Sequence, residues 1–318
     1  MTILTRINNA EHPELVDKFK ETVRNIFPIL CFTPAETEAF IAKFGPEHDD
    51  NNYVYEDAQG RFTFCHYTIH GSLARSIQFI IPAVWTDRYD MVASVLQQIR
   101  ADFLATNAEL ELRMRIDEQM PSHSAYYMGM LPGLGFEIAP RVSMRADYSL
   151  LHALTLPDLP PGITEASFEE ARIMEYPELF FQVDSVYHAG FSPEKIAHER
   201  AMFADYIPRA CKSDNIRPIW TSLVEDGQLI GASFGGAWDD ELSIEEVGIL
   251  PAYYGQGLGR YLTIRCMQKL RQHYGGENKY FALGTFRTYT RALKLYHRLG
   301  FTIDKIESYA TLSKNSST

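Results

Sequence analysis

PAYYGQGLGRYL, residues 251–262, places three glycines at alternate positions between a proline and a run that is typical of a helix. Glycine destabilises a helix start, so Gly255, Gly257 and Gly259 call for another reason. A glycine-rich turn between a strand and a helix lets the backbone approach an anion, with helix N–H groups and the positive end of the helix dipole directed at it. The stretch therefore predicts a phosphate or pyrophosphate site, to which Arg260 adds charge.

Two common phosphate-binding motifs do not fit this stretch. A P-loop needs Gly-x-x-x-x-Gly-Lys-Ser/Thr, and the dinucleotide fingerprint needs Gly-x-Gly-x-x-Gly. The hairpin expected before the loop also argues against a doubly wound nucleotide-binding fold. A tight strand-to-helix turn that binds no ligand stays open as the alternative.

The C-terminal half has the pattern of a small α+β domain. Asp226 and Gly227 form the strongest short hairpin signal in the chain. Apolar residues that recur every four positions predict a helix after the glycines. The expected elements are a hairpin over 219–238, a strand over 242–250, a helix with the stripe Leu258, Leu262, Cys266 and Leu270, a strand over 280–286, a helix with Ala292, Leu295, Tyr296 and Leu299 on one face, and a strand from Phe301.

The N-terminal half repeats this order. A hairpin over 53–69 turns at residues 58–60, a strand over 76–84 runs through Pro82, and a helix, a strand, a helix end and a further strand follow. Glu56 and Glu225 are 169 residues apart, as are Pro82 and Pro251, while Phe136 and Phe301 are 165 apart. The spacing predicts a tandem duplication, and chance similarity of common β–α patterns is the alternative.

One copy lacks the glycines. When the prolines are aligned, AVWTDRYDM (83–91) replaces the glycine stretch, so that Arg88 stands opposite Gly257 and Asp90 opposite Gly259. Three prolines and a glycine in TLPDLPPGI favour a linker between the copies. We expect a degenerate domain over 1–154, a linker over 155–162 and a functional domain over 163–318.

Two stretches of the C-terminal half resemble a known family. VGILPAYYGQGLGRYL (247–262) is similar to the acetyl-CoA signature of the GNAT superfamily of N-acetyltransferases, and TRALKLYHRLGF (290–301) to its second signature. The resemblance implies a mixed α/β (α+β) protein with two tandem GNAT-type domains, each a twisted, mainly antiparallel sheet flanked by helices, and acetyl-CoA as cosubstrate.

The resemblance also assigns residues. Backbone groups of Val247, Gly248 and Ile249 would pair with the pantetheine arm of acetyl-CoA like an added strand. Tyr296 matches the family tyrosine that protonates the departing thiolate, and a tyrosine packed only as core is the alternative. The cofactor-binding assignments continue with the pyrophosphate contacts Gly255, Gln256, Gly257, Leu258, Gly259 and Arg260, and with Tyr289.

Two positions depart from the family pattern. Tyr254 stands where the family has Arg or Gln, so a cationic or amide contact to CoA is missing. Tyr289 stands where many members have Asn, which puts one CoA contact in doubt. The departures motivate a second hypothesis, a CoA-binding sensor or scaffold without catalysis.

Acetyl transfer to an amine needs a base, because only the neutral amine attacks the thioester. Glu245 and Glu246 lie beside the expected thioester site, and alternation along a strand sends them to opposite faces. Glu245 ranks first because it shares a face with Ser243, and Glu246 ranks second. Two solvated carboxylates, with water relaying the proton, are the alternative.

The acceptor amine is less well specified. Residues 176–207 are expected to form two helices that wall its site, and they carry Asp184, His188, Glu194 and His198. A charged outer helix face is the simpler explanation of Glu194 and His198. Within the class, the tandem arrangement also resembles mycothiol synthase, which acetylates a cysteinyl amine on a sugar conjugate.

Composition limits the partners. The net charge of −11 argues against nucleic acid and favours a cationic small-molecule or peptide amine. The four cysteines form no Cys-x-x-Cys pair and the histidines no metal pattern, so no metal is expected, and Cys266 is expected in the core. A polar N-terminus and the lack of a long apolar run predict a cytoplasmic protein without a membrane partner; a homodimer stays open.

Overall fold

The computed structural model describes most of the chain and divides it into two units. Residue contacts group Met1–Ala139 with Ser308–Thr318 in one unit and Pro140–Glu307 in the other. The described residues are 3–7, 13–26, 33–42, 52–56, 62–70, 74–80, 96–97, 101, 111–117, 121–188, 191–238, 241–276 and 280–312.

The described part of the first unit has five strands and three helices. The expected hairpin over 53–69 and the strand that follows it are present, while the stretch 83–91, with Arg88 and Asp90, lies outside the described residues, as does most of the expected helix after it. The elements are β1 (Ile3–Ile7), α1 (Pro13–Ile26), α2 (Pro34–Ala42), β2 (Asn52–Glu56), β3 (Phe62–His70), β4 (Ala74–Ile80), β5 (Glu111–Asp117) and α3 (Pro121–Met130).

The second unit contains every element that the sequence predicts for the C-terminal half. The two helices expected over 176–207 are also present. The elements are β6 (Glu137–Asp147), β7 (Ile163–Ala166), α4 (Tyr176–Asp184), α5 (Pro193–Lys212), β8 (Thr221–Glu225), β9 (Gln228–Trp238), β10 (Glu241–Ile249), α6 (Leu258–Tyr274), β11 (Tyr280–Phe286), α7 (Thr290–Arg298) and β12 (Thr302–Leu312).

Strand pairing follows one order in both units. In the first, β1 to β4 pair antiparallel in sequence and β4 pairs parallel with β5. In the second, β7 to β10 pair antiparallel in sequence and β10 pairs parallel with β11. The common order is the one that a tandem duplication predicts.

The units do not divide at the expected linker. Strand β6 comes from the half assigned to residues 1–154, yet it pairs antiparallel with β11, from Arg141 with Phe286 to Asp147 with Tyr280. Residues 155–162 form no helix or strand, but Leu156 and Leu159 pack against the core of the second unit. The structural boundary therefore lies at residue 140, because the backbone hydrogen bonds of β6 are formed with β11.

Two clusters of side chains pack the helices against the sheet of the second unit. Ala232 and Phe234 point towards α4 and α5. Ser233, between them, points the other way and donates to the carbonyl of Leu262 on α6. The cluster under α6 and α7 includes Ile244, Cys266, Phe281, Tyr296 and Leu299. The first half of β10 and the inward faces of α6 and α7 therefore share one closely packed core.

None of the helices in the described part of the chain is long and apolar enough to cross a membrane. No group of three or more His, Cys, Asp or Glu side chains among the same residues could hold a metal ion.

A charged network fixes edge strand β7 to helix α6. Arg265 Nε donates to both carboxylate oxygens of Glu165 at 2.9 Å, and the Tyr261 hydroxyl donates to the same carboxylate. Lys269 Nζ lies 3.8 Å from Glu165 Oε1 and donates to the Trp220 carbonyl at 2.7 Å. Burial opposes ionisation of Glu165, but these partners outweigh it and lower its pKa below 4.5.

We expect Glu165→Gln to destabilise the second unit by about 1–3 kcal/mol, because it leaves Lys269, 12% exposed, without its counter-ion. Urea unfolding followed by tryptophan fluorescence measures this, since Trp220 is buried beside the network. Because the folded-state pKa is lowered, the stabilisation is present above pH 4.5 and is lost as the pH falls through the folded-state value.

The control is Glu170→Gln, which removes a carboxylate that is 81% exposed and should change stability by less than about 0.5 kcal/mol. Equal effects of the two substitutions at neutral pH would contradict the role given to Glu165.

Candidate active site

Strands β10 and β11 pair only along their first residues. Their parallel pairs run from Glu241 with Tyr280 to Ile244 with Leu283. Beyond this point β10 stays on β9 as far as Ile249, whereas β11 stays on β6 as far as Phe286. Within the described strands, residues 246–249 therefore have a backbone edge that no strand covers. An extended ligand can add to such an edge through main-chain hydrogen bonds.

Val247, Gly248 and Ile249 all lie along this edge. Ile249 is buried in the core beside α6, and Gly248 lies against α4, where an added Cβ would come within 3.0 Å of Phe180 and Val183. Residues 247–249 thus pack against the core and α4, and their backbone is the part that can form hydrogen bonds with a ligand.

A β-bulge at Glu245 changes the expected alternation. Ile244 pairs with Gly235 and Glu246 with the adjacent Phe234, so Glu245 is the additional residue. Its carboxylate accepts a hydrogen bond from Trp238 Nε1 at 3.1 Å. The bulge removes the reason for ranking Glu245 first, because the alternation that would place it on the face of Ser243 does not continue through a bulge. Which of the two carboxylates acts as the base stays a prediction.

Gly255 and Gly257 adopt left-handed backbone conformations, with φ of +84° and +81°. Apart from the glycine itself and its immediate neighbours along the chain, no described atom lies within 4 Å of the position that a Cβ would take on either residue. Gly257 caps α6, whose first residue is Leu258. The glycine loop, residues 255–259, therefore combines a backbone that favours glycine with open space beside the unpaired N–H groups of a helix start.

The other members of the glycine loop have different surroundings. Gly259 does not have a left-handed backbone, and a Cβ on it would lie 3.4 Å from Leu295 Cδ2 on α7, an ordinary packing contact. The Leu258 side chain is in the core, while Gln256 is exposed and Arg260 partly buried. The combination of a left-handed backbone and open space is therefore found at Gly255 and Gly257 but not at Gly259.

Tyr296 lies on the inward face of α7, as the helix pattern predicts. It is 8% exposed, and its ring meets Phe301 edge-on at 6.0 Å. Burial and then the charge of Glu246 raise the pKa of its hydroxyl. Tyr296 therefore remains protonated at neutral pH, close to Glu246.

Glu246 is partly buried, and its side chain makes no hydrogen bond to another described residue. Burial, and next the charge of Asp184, raise its pKa to about 8, while Arg141 opposes the shift. Its charge contributes to the raised pKa values of Tyr206, Tyr289 and Tyr296. A carboxyl group with a pKa close to neutral pH can both accept and release a proton.

Asp184, at the end of α4, is a second carboxyl group of this kind. Burial and then Glu199 raise its pKa to about 7, although the Tyr289 hydroxyl opposes the shift. The Tyr289 ring stacks on Tyr187, with 3.6 Å between centroids. Tyr289, which the sequence assigned to the cofactor, thus lies with Asp184 and Glu199. We call Asp184, Glu199 and Glu246 the carboxylate cluster.

Arg141 and Tyr206 were missed by the sequence reasoning. Arg141, on β6, is the cation that lowers the pKa of Glu246, and its side chain crosses β11 at Gly284, where an added Cβ would collide with it. Tyr206 lies on α5 near Glu246. Alternation of buried Val142, Met144 and Ala146 marks β6 as a strand, but no local signal says that it joins β11.

The remaining candidates have structural explanations. Cys266 is fully buried in the core, where burial raises the pKa of its thiol. His188 lies between Phe181 and Phe191, at 5.1 and 5.3 Å between ring centroids. Glu194 is exposed in the first turn of α5. His198 is partly buried on the same helix.

A comparison with protein families assigns the region that contains these features. Residues 181–301 match the family described as Acetyltransferase (GNAT) family. The match includes the carboxylate cluster, the uncovered edge of β10, the glycine loop and Tyr296. A search of curated proteins found no significant match.

Solved structures extend the likeness over most of the chain. A GCN5-related N-acetyltransferase from Sphaerobacter thermophilus is 13% identical and superposes with a TM-score of 0.60 over 98% of this chain and 96% of that one. A tandem GNAT protein from the clavulanic acid biosynthesis pathway is 14% identical, with a TM-score of 0.57 over 99% of both chains. At these identities the likeness is one of fold. The chain therefore contains a GNAT acetyltransferase domain, matched at residues 181–301, and shares its fold with a tandem GNAT protein.

Proposed function

We propose that this protein is an acetyl-CoA-dependent N-acetyltransferase that moves an acetyl group to a primary amine by direct attack in a ternary complex. The observation that carries the proposal is the separation of β10 from β11 after Ile244. It leaves a strand edge that runs from Glu246 towards the glycine loop, with Tyr296 nearby. The pantetheine arm would pair with residues 247–249, and the pyrophosphate would lie at Gly255 and Gly257.

Glu246 is the base in this proposal. The acceptor arrives as an ammonium ion and must lose a proton before its nitrogen can attack the acetyl carbon. Glu246 takes that proton directly or through water, and its raised pKa matches the task because a base works best when its pKa is near the working pH. Glu245, turned towards Trp238, is the second choice.

Tyr296 is the acid. Attack forms the C–N bond, the C–S bond then breaks, and the sulfur leaves as the thiolate of CoA. The Tyr296 hydroxyl donates a proton to the sulfur. The nitrogen gives up a second proton as the amide forms, and this proton restores the Tyr296 hydroxyl, while Glu246 releases the first proton to solvent. The products are the acetylated amine, CoA with its thiol protonated, and one proton released to solvent.

The carboxylate cluster favours a cationic acceptor. Glu199 raises the pKa of Asp184, and Asp184 raises that of Glu246, so the three carboxyl groups lie close enough to interact. Arg141 attracts the charge of Glu246, but the surroundings of the base are acidic when the carboxyl groups are ionised. The tyrosines around them supply aromatic faces, which also attract ammonium groups. A small-molecule or peptide amine fits this environment.

The first test is turnover of acetyl-CoA with a panel of polyamines, aminoglycosides, amino-acid conjugates and peptide N-termini. We expect turnover with at least one amine, and we expect Tyr296→Phe to lower kcat about 100-fold with little change in the Kd for acetyl-CoA. Tyr274→Phe is the matched control, because that hydroxyl only donates to the carbonyls of Asp214 and Asn215. Binding without turnover across the panel would instead favour a CoA sensor.

The second test concerns the glycine loop. Gly257→Asp should weaken acetyl-CoA binding at least tenfold in calorimetry, because it places a carboxylate in the open space that the pyrophosphate would occupy. Gly257→Asn is the comparison: asparagine has the same size as aspartate and also tolerates a left-handed backbone, so the difference between the two variants measures the effect of the negative charge.

The control for folding is Gly276→Asp, since Gly276 also has open space beside it but lies beyond the other end of α6. Unchanged affinity in Gly257→Asp, with a normal circular dichroism spectrum, would contradict a pyrophosphate site at this loop.

The third test is the pH dependence of kcat. A base with a pKa raised to about 8 becomes active as the pH rises through that value, so the wild-type rate should rise there. Asp184→Asn removes a negative charge near Glu246 and should therefore move the rise to lower pH, and Glu246→Gln should remove it. One acceptor is used throughout, so that its own ionisation is common to all variants.

Glu178→Gln is the control on the same helix as Asp184, because its side chain is 44% exposed. The assignment of Glu246 fails if Asp184→Asn and Glu178→Gln give the same profile as the wild type.

A further inference from the structure

Arg291 lies over the residue that departs from the family pattern. Its Cζ atom is 4.7 Å from the centroid of the Tyr254 ring, within the range of a cation–π contact. Tyr254 directly precedes Gly255 and has an extended backbone, with φ −64° and ψ 149°. A cation carried by α7 is therefore held beside the entrance of the glycine loop.

The other surroundings of Arg291 leave its donors available. The residue is exposed, and within the described residues it forms no ion pair or hydrogen bond. It lies in the first turn of α7, where the helix dipole disfavours a positive charge and no acidic side chain offsets it. A guanidinium group that stacks by one face keeps its edge N–H donors free for an anion.

We infer that Arg291 binds the pyrophosphate of acetyl-CoA and that Tyr254 is its positioning residue, so that helix α7 supplies the cation that the loop lacks at position 254. The inference rests on the proposed function, since it assigns a further contact to the same cosubstrate. A planar, forked donor suits a phosphate group better than a single point charge does.

The experiment compares three ligands that share the acetyl-pantetheine arm. Acetyl-CoA carries the pyrophosphate and a 3′-phosphate, acetyl-dephospho-CoA only the pyrophosphate, and acetyl-pantetheine neither. We expect Arg291→Ala to raise the Kd about tenfold for the first two ligands in calorimetry and to leave the third unchanged. Arg298→Ala, an exposed arginine at the other end of α7, is the control and should alter the Kd of none of them.

Tyr254 is tested by keeping or removing its ring. Tyr254→Phe keeps the face on which Arg291 stacks and should bind acetyl-CoA as the wild type does, whereas Tyr254→Ala should weaken binding several-fold. In the double variant Tyr254→Ala, Arg291→Ala, the second substitution should add little. Tyr254→Arg in the Arg291→Ala background should restore affinity, because it returns a cation to the loop.

The outcomes separate this inference from the function on which it rests. If the wild type binds acetyl-CoA and Arg291→Ala binds it equally well, the inference fails and the proposed function stands. A loss confined to acetyl-CoA would place Arg291 at the 3′-phosphate and overturn the inference. If the wild type binds none of the three ligands, the proposed function itself fails. Arg291→Gln, which keeps a long polar side chain, repeats the test should Arg291→Ala unfold.

Discussion

The divergence of two parallel strands is the constraint on which the site depends. Strands β10 and β11 separate after Ile244, and the bulge at Glu245 bends β10 at that point. Gly235 on the neighbouring strand makes the bulge possible, because a Cβ there would collide with the carbonyl oxygen of Ser243. One glycine on β9 therefore lets the two strands come close together beside the bulge, at the point where β10 leaves β11.

Burial of carboxyl groups changes the acid–base chemistry of the site where the strands separate. Glu246 and Asp184 would ionise near pH 4 in water, but burial and a neighbouring carboxylate, Asp184 for Glu246 and Glu199 for Asp184, raise their pKa values to about 8 and about 7. Such desolvation is costly for folding and is therefore more common at functional sites than elsewhere. Arg141 limits the cost by attracting the charge of Glu246. The cluster thus keeps a proton acceptor close to neutral pH without a metal-ligand pattern among the described residues.

Local signals in the sequence predicted most elements of the second unit. The Asp226-Gly227 hairpin, the stripe on α6 and the length of β11 agree with the structure because each depends on neighbouring residues alone. Features that depend on distant pairing could not be predicted in this way. The alternation that would place Glu245 and Glu246 on opposite faces is interrupted by a bulge beside Gly235 of the neighbouring strand. The partner of β6 lies more than a hundred residues away along the chain. The sequence does not separate Gly259 from Gly255 and Gly257, because the contact of Gly259 with Leu295 on α7 is a tertiary one.

The origin of Arg141 changes how the two halves of the chain are understood. A simple tandem repeat would place all residues of the functional copy after the segment 155–162. Arg141 lies before it, on a strand whose backbone pairs with β11 and whose side chain lies across Gly284. Strand β6 therefore gives the second unit two things: a sheet neighbour for β11, and Arg141, the cation that lowers the pKa of Glu246. Strand β6, which precedes the segment 155–162, therefore provides Arg141 to the proposed chemistry of the second unit.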